Sequence, residues 1–305
     1  MSTVETRARF NKNVVPGLFA LMTEEYKRYP ETWRELVRTE RSTNTYEEAG
    51  YISGFGTVPT KPEGVPITYD ARMQGSLKRW THNTYASGAR VSEEAIEDDR
   101  YRIFEGVSRD LGVSARETRH IRVAAIFNTG FGTTTHTTGQ GYAIFYGTHV
   151  KLGGGTWSNL ATASSLSYST LQSAILAFEG QTDERGKKIM QTPMTLLVPT
   201  ALEFKALELL KSVGQPESAN NEINAVKLAR PRLRLIVWPY LTSSTAWFLI
   251  GDNARMSDGL IFFERVGITF GREGDFDTGD VKFKVRYRDS VEVNRPIGLY
   301  GNAGA

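Results

Sequence analysis

The residues best suited to chemistry in this sequence are its four histidines, His82, His120, His136 and His149. Their spacing matches no metal-ligand pattern, and no HExxH motif is present. His136 and His149 lie in a segment rich in glycine and threonine, where imidazoles could line a small-molecule site. The alternative is that both are solvated loop residues. The histidines therefore define one candidate site without a recognisable mechanism.

Two short motifs resemble ligand-binding loops. Residues 130–133 (GFGT) resemble a phosphate loop, but the GK[ST] ending is missing and a threonine-rich segment follows instead of a helix. Residues 274–280 (GDFDTGD) resemble a calcium loop, but Arg286 stands where a coordinating carboxylate is expected, which favours a turn. The chain has no cysteine and no GxSxG elbow. We therefore predict no catalytic, cofactor-binding or metal-binding residue.

The composition narrows the class of protein. Among 305 residues, 37 basic and 34 acidic side chains leave a formal net charge of +3. This near balance argues against a dedicated polybasic nucleic-acid binder. A chain of this length can bury a full core and form one large or two modest domains. It has no run of about 18 apolar residues and no secretory signal, so we expect no membrane span.

The chain is organised around a long helix predicted from Tyr101 to Asn128. Ser92 and the two glutamates after it suit a helix start. A continuous helix over this range would be about 40 Å long. The alternative is two shorter helices broken near Gly112. One apolar face is predicted from residues that recur every three or four positions: Phe104, Val107, Leu111, Ala115, Thr118, Ile121 and Ala125.

Three arginines follow the same helix at intervals of seven. Arg102, Arg109 and Arg116 should lie within roughly 40° of one another, on the side opposite the apolar row. They would give the helix one guanidinium edge opposite its buried edge. The alternatives are a solvated face partly neutralised by Glu105 and Asp110, or pairing with a neighbouring subunit.

The N-terminal residues 1–49 are predicted to form an arm. It contains a helical segment between Pro16 and Pro30 and a short second segment from Trp33 to Arg38. Neither segment can bury its apolar face alone. Each therefore needs a partner surface, from this chain or from a neighbouring copy.

Residues 50–84 are rich in proline and glycine, and also in aromatic and β-branched residues. This combination predicts a long two-stranded excursion that turns around Thr60 to Gly64. An isolated hairpin is barely stable in water, so one this long should lie on another surface. Trp80, an aromatic anchor in an extended strand, is a candidate inter-subunit contact.

The rest of the chain predicts an α+β protein. After an uncharged Gly/Thr-rich stretch, residues 167–178 form an amphipathic helix, and residues 194–198 form a buried strand that leads into a helix ending at Lys211. Further apolar strands follow, and GLIFFERVGITFG is read as two of them. Alternating apolar and charged residues from Val281 to Tyr287 predict a half-exposed strand.

The order of these elements resembles the major capsid proteins of tailed bacteriophages, with the Hong Kong 97-type shell fold, and most of all the Mu-like prophage major head subunits. The resemblance covers nearly the whole length and rests on the joint order of several segments. They are FGTVPTKPEG, YDARMQGSLKRWTHNTYASGARVSEEAIEDDRY, LATASSLS, LLVPTALEFKALELLKS, NEINAVK, AWFLIGD, FERVGITFGREGDFDTGDVKFKVRYR and GLYG.

The resemblance implies a domain organisation. The arm at 1–49 would be followed by an extended hairpin loop at 50–84. A peripheral domain would comprise 85–163 and 259–305, with a spine helix at about 101–128. An axial domain would occupy 164–258, after which the chain returns to complete the peripheral sheet.

The resemblance also implies a structural function with no enzymatic activity and no cofactor. Subunits would form hexamers and pentamers of an icosahedral shell around packaged double-stranded DNA, assembled in the host bacterial cytoplasm with scaffold and portal proteins. The chain begins almost directly with the arm, so we expect a scaffold to be a separate protein or already removed. The alternatives are an encapsulin-like compartment that encloses a cargo protein, and an enzyme whose Gly/Thr loop around His136 binds a small substrate.

Specific residues follow from the resemblance. The hairpin residues Lys61, Lys78, Arg79 and Trp80 are predicted to contact neighbouring subunits. The spine helix would face the interior, which would aim Arg102, Arg109 and Arg116 at the DNA. Some family members cross-link a lysine to an asparagine of a neighbour; Lys61 and Lys78 lie in the hairpin, but neither the partner asparagine nor an activating carboxylate can be identified.

Overall fold

The computed structural model describes residues 23–28, 30–92, 94–95, 98, 103–218, 222–252, 259–275 and 278–305, with the backbone alone at 103–105 and 108. The helices are α1 (Ile103–Asn128), α2 (Tyr168–Glu179), α3 (Glu203–Lys211) and α4 (Ala225–Ala229), with helical residues also at 23–28 and 3-10 turns at Thr32–Glu35 and Thr200–Leu202. The strands are β1 (Arg38–Arg41), β2 (Tyr46–Ile52), β3 (Gln74–Thr81), β4 (Asn83–Val91), β5 (His149–Val150), β6 (Thr156–Trp157), β7 (Pro193–Val198), β8 (Arg234–Val237), β9 (Trp247–Gly251), β10 (Leu260–Gly274), β11 (Val281–Val293) and β12 (Leu299–Asn302).

The first sheet has the strand order β1-β10-β11-β4, with β1 parallel to β10 and the other pairs antiparallel. From Val281 to Tyr287, β11 alternates buried apolar with exposed basic side chains, as predicted for a half-exposed strand. The buried side packs against Leu111 and Ala115 of α1. The helix and the sheet together form the body of the subunit. The strand β1 and the base of the hairpin, at Trp80, pack against β10 of this sheet.

The second sheet has the order β12-β9-β7-β8. It packs against α2 and α3 through a separate apolar cluster that includes Leu171, Phe178 and Leu209. Helix α2 begins as predicted, with a capping box in which the Ser167 side chain accepts from the Thr170 amide. The last strand, β12, pairs with β9. Of the residues 259–305 that were expected to complete the peripheral sheet, β10 and β11 lie in the first sheet and β12 lies in the second.

One apolar core lies between the two sheets. It joins Phe127 of α1, Phe262 of β10, Phe248 of β9 and Leu299 of β12. Trp33 and its neighbours Leu36 and Val37 are buried in the same core, and β1 pairs with β10. Residues 33–41 of the predicted arm therefore pack on the body of their own subunit.

The long helix is confirmed as one element from Ile103 to Asn128, and the alternative of two helices broken near Gly112 is wrong. Its predicted apolar face drifts from the observed one. Leu111 and Ala115 are buried, but Ile121 is 55% exposed, and the buried side continues instead through Val123, Ile126 and Phe127. An α-helix has about 3.6 residues per turn, so residues chosen at intervals of three or four shift gradually around the helix axis. Over 26 residues such a series can begin on the buried side and end on the exposed side.

The segment GLIFFERVGITFG forms one strand, β10, and not the predicted pair. Its pairing with β11 shifts register between Glu264 and Val266 and again between Val266 and Thr269. These irregularities let one strand continue where the alternating pattern of the sequence breaks.

We predict that Phe127→Ala lowers the free energy of unfolding by about 3–5 kcal/mol, because a fully buried aromatic side chain is lost from the core shared by both sheets. The matched control is Ile121→Ala, on the exposed side of the same helix, for which we expect a change within about 0.5 kcal/mol. Urea titration of unassembled subunits measures both. Equal losses for the two variants would contradict the observed orientation of α1.

Candidate inter-subunit surface

The hairpin between residues 46 and 81 leaves the body as two paired strands and continues beyond them. Strands β2 and β3 pair antiparallel from Tyr46 opposite Thr81 to Ile52 opposite Gln74. One further backbone bond, from the Ser53 amide to the Met73 carbonyl at 2.8 Å, extends the pairing. The chain reverses at a turn in which the Val65 amide donates to the Pro62 carbonyl, 3.4 Å away, and Gly64 has a φ of +76°. The predicted turn is thus confirmed.

The outer part of this hairpin carries large apolar side chains in solvent. Val58 is 96% exposed and Tyr69 is 87% exposed. The others are Ile52, Phe55, Val65 and Ile67. Exposed apolar groups concentrated on one element are typical of an interaction surface. Lys61 lies among them, on the exposed part near the turn.

The base of the hairpin is bound to the body of its own subunit. Trp80 is fully buried and packs edge-on against Phe263, with ring centroids 5.7 Å apart, in a cluster with Ile261. The prediction that Trp80 contacts a neighbour is therefore wrong. Trp80 lies in a strand, as predicted, but the sequence does not show that β10 lies beneath that strand.

The two basic residues before Trp80 also have partners within the subunit. Lys78 Nζ donates to the Glu292 carboxylate at 2.8 Å and to the Thr137 carbonyl. Arg79 donates through Nε and Nη2 to Glu48 Oε1, at 2.8 and 2.6 Å. Inter-subunit roles for these two residues remain predictions. Of the two lysines considered for a cross-link, Lys78 has its amine held by a carboxylate.

Glu292 has an environment that stabilises its charge. Burial acts to raise the pKa of this carboxyl, but the hydrogen bond from His136 and the charge of Lys78 outweigh it and hold the pKa below its usual range. His136 Nδ1 lies 3.4 Å from Glu292 Oε2. The histidine of the candidate small-molecule site therefore belongs to the ion cluster that attaches the hairpin base.

The other histidine of that candidate site is structural. His149 is almost fully buried, is stacked on Trp157 with ring centroids 4.6 Å apart, and donates from Nε2 to Asn159 Oδ1 at 3.0 Å. Burial lowers the pKa of the imidazole, which is therefore neutral near pH 7. Within the described part of the chain, no three His, Asp or Glu side chains are grouped so as to hold a metal ion. No described helix is long and apolar enough to cross a membrane.

The arginine row of α1 divides in the structure. Arg109 is exposed, and Arg102 lies outside the described residues. Arg116 is 9% exposed, and its Nη1 donates to the Glu25 carbonyl at 3.3 Å. The expectation that Arg116 shares an interior-facing row with Arg109 is therefore wrong, since its guanidinium is turned toward the N-terminal segment.

Sequence reasoning missed the arginines with the most extensive contacts. Arg119 is 1% exposed, and its Nη2 donates to Glu264 Oε1 at 3.1 Å while its Nε lies 3.3 Å from Asp289 Oδ2. Arg122 Nη1 donates to the other oxygen of Asp289, which is also fully buried. Arg119 follows Ala115 by four residues and so continues the buried side of the helix. This spacing could have indicated that Arg119 is buried, but a charged residue is not normally predicted to lie in a core.

The same network holds the N-terminal segment. Arg119 Nη1 donates to the Tyr26 hydroxyl at 3.3 Å, and that hydroxyl donates to Glu31. Burial acts to raise the pKa of Glu31, but hydrogen bonds from Tyr26 and Arg34 hold it below its usual range. The helical residues 23–28 are therefore tied to α1 of their own subunit.

Comparison with known proteins now identifies the architecture. The profile of the family described as phage capsid protein matches residues 78–302. The chain belongs to the phage capsid protein family. No curated protein sequence matches it. It is a structural shell subunit and not an enzyme, as the resemblance implied. The further likeness to Mu-like head subunits stays a prediction.

Solved structures agree on the fold of this capsid protein. The chain is similar to a structure from Microbacterium phage Oxtober96, with 11% identity, a TM-score of 0.58 and coverage of 90% of each chain. It is also similar to the capsid of a native GTA particle, with 12% identity, a TM-score of 0.57 and coverage of 89% of each chain. A virus-like particle from Pyrococcus furiosus matches with 12% identity and a TM-score of 0.52, over 95% of this chain and 99% of the other. The predicted Hong Kong 97-type fold is confirmed.

We predict that Trp80→Ala destabilises the capsid subunit itself, by about 3–5 kcal/mol, because it opens a cavity over β10. Leu77→Ala on the same strand is the control; its side chain is mostly exposed, so we expect a change below about 1 kcal/mol. Both are measured by urea unfolding of dissociated subunits. Unaltered stability of Trp80→Ala together with failed assembly would restore the inter-subunit role.

Proposed function

We propose that this capsid protein assembles into a closed icosahedral shell of hexamers and pentamers around double-stranded DNA. Membership of the phage capsid family supports the shell. The observation that carries the proposal within this chain is the projecting hairpin, which has a buried base and an outer part of exposed apolar side chains. The exposed apolar side chains of such an element would become buried on a neighbouring subunit. In closed rings of subunits the same contact is repeated many times.

The domain organisation is part of the proposal. The sheet formed by β1, β10, β11 and β4, with α1, would be the peripheral domain. The sheet formed by β7, β8, β9 and β12, with α2 and α3, would be the axial domain. Because one core joins the two sheets, they would move as one unit during assembly. The outer hairpin would be the element that adapts to the neighbour.

Scaffold and portal proteins are proposed partners, and the host cytoplasm is the proposed place of assembly. All three are supported by the kinship with phage capsids. An encapsulin-like compartment is the second candidate, because the virus-like particle of Pyrococcus furiosus shares the fold. The nucleic-acid content of purified particles distinguishes the two functions. DNA in the particles supports the phage shell, and a protein cargo without DNA supports the compartment.

We predict that replacing residues 57–70 by a short Gly/Ser turn leaves a folded subunit and abolishes stable shells. The removed segment includes Val58 and Tyr69, whose side chains are in solvent, while the base of the hairpin around Trp80 is kept. Circular dichroism checks the fold, and electron microscopy with light scattering checks assembly, with a co-expressed scaffold where one is required. An unfolded subunit would show that the segment stabilises the fold, and normal shells would remove it from the interface.

We predict that DNA is retained by enclosure more than by bound cations. The net charge is only +3, and Arg116 contacts the protein backbone instead of projecting with Arg109. Raising NaCl from about 0.1 M to about 1 M should therefore leave the DNA of filled shells protected from nuclease, although salt weakens phosphate contacts steeply. Sedimentation confirms that the shells stay closed. DNA released from intact shells by salt would contradict the prediction.

A further inference from the structure

The outer part of the hairpin is attached to a tight turn elsewhere in its own subunit. Arg185 Nη1 donates to Asp70 Oδ1 at 3.1 Å, and its Nη2 donates to the Ala71 carbonyl. Lys187 Nζ donates to the Phe55 carbonyl. Two cations from residues 183–187 thus reach both arms of the hairpin, beyond the point where β2 and β3 stop pairing.

Asp70 links the two arms to each other as well as to the turn. Its Oδ2 accepts from the Gly56 amide at 2.7 Å, while its Oδ1 accepts from Arg185. A single carboxylate therefore fixes one arm against the other and fixes both against the body. Residue 56 sits close to this carboxylate, since a Cβ added to Gly56 would lie 3.2 Å from Asp70 Oδ2.

The turn that carries the two cations is itself well ordered by its hydrogen bonds. Asp183 Oδ1 accepts from the amides of Arg185 and Lys187, at 2.9 and 2.8 Å. Gly186 has a φ of +78°, a conformation that side chains other than glycine rarely adopt. The carboxylate of Glu184 accepts from the Leu152 amide at 2.9 Å. Arg185 and Lys187 therefore project from a defined position.

We propose that the turn at residues 183–187 is a clamp that sets the direction of the hairpin for docking on the next subunit. Arg185 and Lys187 are the positioning residues, and Asp70 is their receptor. This inference rests on the proposed function, in which the outer hairpin docks on a neighbouring copy. A pair of unsupported strands samples many directions, and only the fraction that points correctly can assemble.

Each contact of the clamp is partly exposed, and exposed ion pairs are individually weak. A strong bond is not required, because the clamp orients a projecting segment and does not hold the core together. A weak clamp also lets the hairpin adjust its direction once the neighbour binds. The Gly56 amide, with the charge of Arg185, holds the pKa of Asp70 below its usual range. The contribution of the clamp is therefore present above the ordinary pKa of aspartate and is lost only as the pH falls through the lowered value.

The test uses charge reversal with a matched control. The variants are Arg185→Asp, Asp70→Arg and the double exchange of both, with Arg185→Gln as a milder change. Lys188→Asp is the control. It makes the same change of charge as Arg185→Asp at an exposed residue directly after the turn. Circular dichroism checks that each variant is folded.

The direction of the hairpin is measured first, on unassembled subunits. The chain has no cysteine, so spin labels at Thr60→Cys and Ser173→Cys report the distance between the exposed hairpin and α2 without background. We expect a narrow distance distribution for the parent protein and for Lys188→Asp. Arg185→Asp should broaden it, and the double exchange should narrow it in part, because the ion pair returns but the Gly56 amide has lost its carboxylate acceptor. An unchanged distribution in Arg185→Asp would overturn the clamp.

Assembly is measured second, by light scattering. We expect Arg185→Asp to slow shell formation by roughly fivefold, the effect of losing an exposed ion pair at the upper end of its usual range. The double exchange should restore part of the rate, because the ion pair returns, and Lys188→Asp should leave the rate unchanged. A broadened distribution with an unchanged rate would overturn the role in docking. If the parent protein forms no shells, the proposed function fails, and the distance measurement alone still decides whether the clamp exists.

Discussion

A buried ion network around Arg119 and Asp289 is the constraint on which the rest of the subunit depends. Both residues are almost completely removed from solvent, and Arg122 and Glu264 complete the network. The guanidinium of Arg119 also lies 5.0 Å from the ring centre of Tyr287 and 5.6 Å from that of Phe262. Burial raises the pKa of Asp289 against the attraction of Arg122 and Arg119. Removing one partner from such a pair would leave an uncompensated charge, at a cost of about 3–5 kcal/mol.

The position of this network explains why the subunit has one defined geometry. Arg119 lies on α1, Asp289 on β11 and Glu264 on β10, while Tyr26 and Glu31 come from the N-terminal segment. Apolar packing alone would tolerate small rotations of α1 over the sheet. A guanidinium that must meet specific carboxylates does not tolerate them, because the ion pairs are directional and short. The network therefore fixes the rotation of the helix, and the apolar core beside it supplies most of the burial.

The elements of this fold could be predicted from the sequence more readily than their contacts. Helix α1, helix α2 and the strand β11 follow from local periodicity and capping, which depend on neighbouring residues. The orientation of α1 could not be predicted correctly, because arginines occupy part of its buried side. Their partner Asp289 lies 167 positions after Arg122 along the chain. The burial of Trp80 depends in the same way on β10, and the place of β12 depends on its pairing with β9. The joint order of elements indicated the family, whereas the prediction of site residues failed at Trp80 and Arg116.

The hairpin consists of a base that is buried on the body and an outer part that is exposed. The base of the hairpin is attached to the body through Trp80 and through Lys78 with Glu292. The outer part has exposed apolar side chains, and its polar contacts with Arg185 and Lys187 of its own body are partly exposed. If the outer part were strongly bound to its own subunit, exchanging those contacts for contacts to a neighbour would gain little free energy. A freely moving one would lose conformational entropy at every contact that forms. Weak polar attachment of an apolar segment lies between these limits, and it suits a protein that must remain soluble as a subunit and still associate in many copies.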